Sequence, residues 1–64
     1  MKNDMKVYKI TLMNEKSSLR NVQFYRTSLF ISLWDILEEA LESAKEKSKE
    51  ENDKWAIEDI KRVD

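Results

Sequence analysis

The sequence predicts an α+β domain of order ββαβ, a three-stranded antiparallel sheet with one amphipathic helix packed on one face. Three observations carry that prediction: apolar residues alternate near the N-terminus, a capped run with helical spacing begins at Ser32, and a β-branched closing segment follows Asn52. No repeat or linker divides the chain, so residues 1–64 read as one domain.

From Met5 to Met13 the even positions Tyr8, Ile10 and Leu12 are apolar, with Lys9 and Thr11 between them. That is the period of a half-buried strand. The polar stretch Asn14-Glu15-Lys16-Ser17-Ser18 interrupts it, and Asn21 to Thr27 reads as a second strand. The two form a hairpin with a long, glycine-free loop. Ser32 is placed to cap a helix beginning at Leu33, with Asp35 in the capping-box position. The apolar face of that helix comprises Leu33, Trp34, Ile36, Leu37, Ala40, Leu41 and Ala44. Beyond Ala44 the residues are polar as far as Asp53, so the last turns are expected to project into solvent, with Asn52 as the end. Trp34 and Trp55 are expected at the rim of the core.

Residues 54–63 fit two descriptions. Trp55 and Ile57 alternate, whereas Ile57, Ile60 and Val63 repeat every three residues. A strand with a bulge near Glu58-Asp59 reconciles both; a short second helix is the other option. The strand is preferred, antiparallel beside the first, because a two-stranded sheet under one helix barely supports itself.

Composition removes several function classes. The chain has 64 residues and no Cys, His, Gly or Pro. Without Cys and His, the usual ligands for Zn, Cu and Fe are absent, as are the commonest general base and thiol nucleophile. Without Gly, loops that cradle phosphate lose the residue that lets backbone approach the ligand. The expectation is therefore no enzyme, no cofactor and no metal, with left-handed backbone falling to Asn14, Asn21 or Asn52. Ser17 and Ser18 beside Lys16 read as a solvated turn rather than an activated hydroxyl. No apolar run approaches the ~20 residues of a membrane span, and no secretory leader is evident. No membrane partner is expected, and the cytoplasm is the default location.

Net charge is −1, yet residues 1–31 carry +4 and residues 32–64 carry −5. Three candidate surfaces follow. The sheet face turned away from the helix, with Met5, Val7, Thr11, Met13, Gln23 and Tyr25, has no cover within the chain and is expected to meet a partner or form a homodimer. The acidic helix face, with Asp35, Glu38, Glu39, Glu42 and Glu46 and Glu50 beyond them, could imitate a DNA phosphate backbone in the basic cleft of an enzyme. The basic hairpin, with Lys6, Lys9, Arg20 and Arg26 beside Tyr25, has the mix of cations and aromatics of a single-strand nucleic-acid platform.

The ββαβ order, the passage through Ser32-Leu33-Trp34-Asp35-Ile36-Leu37 into an acidic helix, and the closing strand with Ile57, Ile60 and Val63 resemble small bacteriophage accessory proteins. In layout the chain is similar to the phage inhibitors of uracil-DNA glycosylase, dimeric ββαβ proteins that occlude a DNA-binding cleft. The lysine-bearing helix end departs from that pattern. The resemblance implies an anti-defence or host-takeover function: a phage protein that binds and inhibits or redirects a host or defence protein. The alternative is a small nucleic-acid or nucleotide binder using the basic hairpin.

Overall fold

The computed structural model describes residues 5–17, 19–29 and 32–64. Strand β1 spans Lys6–Asn14, β2 Asn21–Ser28, α1 Leu33–Glu51 and β3 Trp55–Arg62. The strands form one antiparallel sheet in the order β2-β1-β3, so the α+β, ββαβ expectation is met and residues 54–63 are largely strand, not helix.

The alternation in β1 decides the layering. Tyr8, Ile10 and Leu12 are buried toward the helix, and the central strand has neighbours on both sides. They meet Ile36, Ala40 and Ala44 of α1 and Trp55 of β3, with Val22, Phe24, Ile57 and Ile60 packed around them. Full burial of an aliphatic side chain such as Ile10, Leu12 or Ile36 contributes about 1.5–3 kcal/mol. The two alanines let the helix backbone approach the sheet closely.

The expected bulge is present. Thr11 pairs with Asp59 but Leu12 pairs with Ile57, so Glu58 is the extra residue. In a regular strand Ile57 and Ile60 would point to opposite faces; the extra residue turns both toward the core. Pairing continues past β3, where Val63 N donates to Val7 O at 2.8 Å.

The helix starts where the sequence placed it. Ser32 Oγ accepts from Asp35 N, and the Asp35 carboxylate accepts from Ser32 N and Oγ, the reciprocal capping box. It ends at Asn52, the sole described residue with positive φ, at φ 52 and ψ 45. Asn tolerates the left-handed conformation better than other non-Gly residues, so it serves a chain without glycine. Asn14 and Asn21 sit instead in strands.

Three expectations require correction. Of the seven apolar helix residues only Ile36, Ala40 and Ala44 are buried; Leu33, Trp34 and Leu41 are 59%, 69% and 52% exposed. Trp34 therefore lies outside the core rim, whereas Trp55, 6% exposed, belongs to the core itself. Leu33, about 20° from Ala40, is exposed as the first residue of the helix; for Trp34 and Leu41 the reason is width. At 3.6 residues per turn Leu41 lies about 100° and Trp34 about 120° around the helix from Ala40, and a three-stranded sheet of spacing about 4.8 Å is too narrow to reach that flank.

Thr11 departs as well, being buried on the sheet face that has no helix, because both its neighbours belong to the sheet. Nor do the last helical turns stand free. Ser48 Oγ donates to Ala44 O at 2.8 Å and accepts from Trp55 N at 2.9 Å, which ties the helix end to the start of β3.

Candidate interaction surfaces

The open sheet face is built by register. Lys9 lies between Tyr25 and Lys61, Thr11 between Gln23 and Asp59, and Met13 between Asn21 and Ala56. The bulge adds a residue to this face. Glu58 and Asp59, consecutive in sequence, both line a shallow open concavity with Lys9, Thr11, Asn21, Gln23 and Lys61. Tyr25 stands beside it, 61% exposed, while Val7 and Met13 are half-buried and Met5 is exposed. The six predicted residues therefore surround or flank one surface, but its centre is more polar than the sequence suggested. Asn21, Glu58, Asp59 and Lys61 were missed, although the predicted bulge carried the signal for the two carboxylates.

The acidic residues of α1 do not act as one row. Asp35 belongs to the helix cap, and the Ser32 hydroxyl and then the Ser32 amide hold its pKa below the ordinary value. Glu39 pairs with Arg26 of β2 at 2.8 Å. Glu38 and Glu42 share an open concavity with Leu41 and Lys45, and Glu46 shares another with Lys49 and Glu50. Acid and base therefore alternate along the outer surface, and the phosphate-like pattern is broken.

The four basic hairpin residues are dispersed. Strand parity puts Lys6 on the helix side and Lys9 on the open side of the sheet. Arg26 is held by Glu39. Arg20 bonds Glu51 at 2.8 Å, approaches Asp53 at 3.8 Å and lies over the Trp55 ring, 5.5 Å from its centroid. Of the set, Lys9 alone shares the open face with Tyr25, and Lys61 joins them there.

The remaining dense polar cluster joins the β1–β2 turn to the α1–β3 connection. Asn14, 1% exposed, uses Oδ1 to accept from Lys16 N and Ser17 N and Nδ2 to donate to Asp53 Oδ2. That bond, with the Lys54 amide and Lys16 helping, holds the Asp53 pKa down. Lys47, ahead of Arg20, does the same for Glu51, and its Nζ also lies over the Trp55 ring, 4.9 Å from the centroid. Trp55 Nε1 is buried without an acceptor among the described residues. The cluster is bonded within itself and reads as a latch. Ser17 lies inside this turn, and Ser18 lies outside the described residues.

Among the described residues no group of three or more Asp or Glu is placed to hold a metal ion, and no helix is long and apolar enough to cross a membrane. No family model, curated protein or solved structure matches the chain.

Proposed function

We propose that the chain is a non-enzymatic protein-interaction module, of the kind phages and mobile elements encode to bind and inhibit or redirect a host or defence protein in the host cytoplasm. The open sheet face is its partner-contact surface. The observation that carries this reading is the β3 bulge, which sets Glu58 and Asp59 side by side on a face that no described element covers and that also carries Lys9, Lys61 and Tyr25. Transient protein interfaces are about as polar as the rest of the surface and are enriched in Tyr and Met. A face of this composition, with Met5 and Met13 at its margins, fits that description. Charges of both signs within one concavity favour a protein target over a uniformly anionic nucleic acid.

The test is affinity capture from bacterial lysate with and without nuclease, comparing the wild-type chain with Tyr25→Ala and with Lys9→Glu/Lys61→Glu. A protein recovered despite nuclease and lost with either face variant supports the reading. Recovery abolished by nuclease transfers the assignment to the nucleic-acid alternative. Capture indifferent to both variants overturns the assignment of the face.

A further inference from the structure

The outer flank of α1 poses a different problem from the sheet face. Trp34 and Leu41 are both more than half exposed, and the opposite flank of the helix is the one tied to β2 through Glu39 and Arg26. Trp at this exposure is the residue type that most often anchors an interface.

We infer that this flank pairs with the same flank of a second copy, the two helices running antiparallel about a two-fold axis near Leu41. Charge complementarity selects that occupant. On the outer side of the apolar flank, Glu38 lies three residues before Leu41 and Lys45 four residues after it, about 4.5 Å and 6 Å along the axis. An antiparallel two-fold therefore brings Glu38 of each copy beside Lys45 of the other.

A parallel pairing would put Glu38 and Lys45 of one copy on the opposite side of the seam from those of the other, out of each other's reach. A target of one charge would meet repulsion at one end of the helix. The pattern is self-complementary, as an isologous interface requires. It also moves the second copy from the sheet face, where the sequence alone placed it, to the helix, leaving the sheet face free in each subunit.

Sedimentation velocity with charge-exchanged variants tests the pairing. At about 100 µM the wild type sediments as a dimer, while Glu38→Lys and Lys45→Glu each weaken the association at least about tenfold. An equimolar mixture of those two variants recovers dimer, because each lysine of one then faces a glutamate of the other. Trp34→Ala abolishes the dimer with the helical circular dichroism unchanged. Both charge sites are exposed helical positions; should either single variant unfold, the Glu38→Lys/Lys45→Glu double variant must still dimerise like wild type. A monomeric wild type, undiminished association of Trp34→Ala, or failure of the mixture and the double variant to recover dimer overturns the inference. Loss of the dimer leaves the sheet-face capture result standing, so the two proposals fail separately.

Discussion

Replacing Asn14 with Ala should cost this domain a large share of its stability, although the residue is polar and ends a strand. Its side chain is 1% exposed and receives the amide hydrogens of Lys16 and Ser17 at 2.9 and 3.2 Å. A net contribution near 1 kcal/mol per bond, plus the penalty for a Lys16 amide left without an acceptor while Ser17 N keeps its 3.3 Å bond to the Asn14 backbone oxygen, gives about 2–3 kcal/mol before the bond to Asp53 is considered. At about 0.05–0.15 kcal/mol per residue, a domain of this length holds only about 3–10 kcal/mol. The midpoint of thermal unfolding should fall by about 10–20 °C.

The assay is thermal and urea denaturation followed by circular dichroism at one fixed protein concentration, because self-association would make the midpoint concentration-dependent. Asn14→Asp supplies a control with a sign. It keeps the acceptor for both amides but places a carboxylate against Asp53, so its deficit should be largest near neutral pH and shrink when the pair is protonated. A midpoint within 5 °C of wild type for Asn14→Ala would refute the latch, since no other side chain among the described residues accepts from those two amides.

Other outcomes follow from the same geometry. Ile36→Ala opens a cavity under the helix and should cost about 2–5 kcal/mol by urea titration. Trp55→Ala should cost about 3–5 kcal/mol, whereas Trp34→Ala, on the exposed flank, should change the stability of the monomer by less than about 0.5 kcal/mol. Ser32→Ala removes the helix cap and should cost about 1 kcal/mol, read by the same titration. The carboxyls of Glu51, Asp53 and Asp64 have pKa values lowered in the fold, that of Asp64 chiefly by Arg62 at 2.6 Å. Groups of this sign contribute stability above their unfolded values near ~4 and lose it as pH falls further. The melting midpoint should therefore be flat from about pH 7 to 5 and decline below about pH 4, with Asp64→Asn showing a shallower acid limb.

Features written in local sequence were legible. Alternation fixed the inward residues of β1, Ser32 with Asp35 fixed the helix start, and the double spacing around Ile57 and Ile60 revealed the bulge. The parity of Lys6 and Lys9 already separated the basic hairpin into two faces, although the grouping by charge overlooked it. The exposed helix flank was not legible, because Trp34 and Leu41 sit at helical spacing whether or not a sheet reaches them. Only the number and width of the strands decide that. Asn14 and Ser48 were hidden for a related reason: each has its bonding partner in an element distant in sequence or across a connection, and nothing in their neighbours marks a polar residue as buried.

The same shortage of width links stability to the proposed function. A sheet of three strands cannot cover both flanks of its helix, and one helix cannot cover both faces of its sheet, so apolar surface remains on one side of the molecule and mixed polar surface on the other. Helix pairing would withdraw the apolar surface from water without consuming the sheet faces. An isologous dimer joined in this way presents two identical open faces. A target with two suitably spaced sites would be held more tightly by the dimer than by one domain, with no new contact required. Trp34→Ala should then weaken capture of such a target while leaving each sheet face intact. For a target with one site it should leave capture unchanged, so the same variant that tests the dimer also reports the valency of the partner.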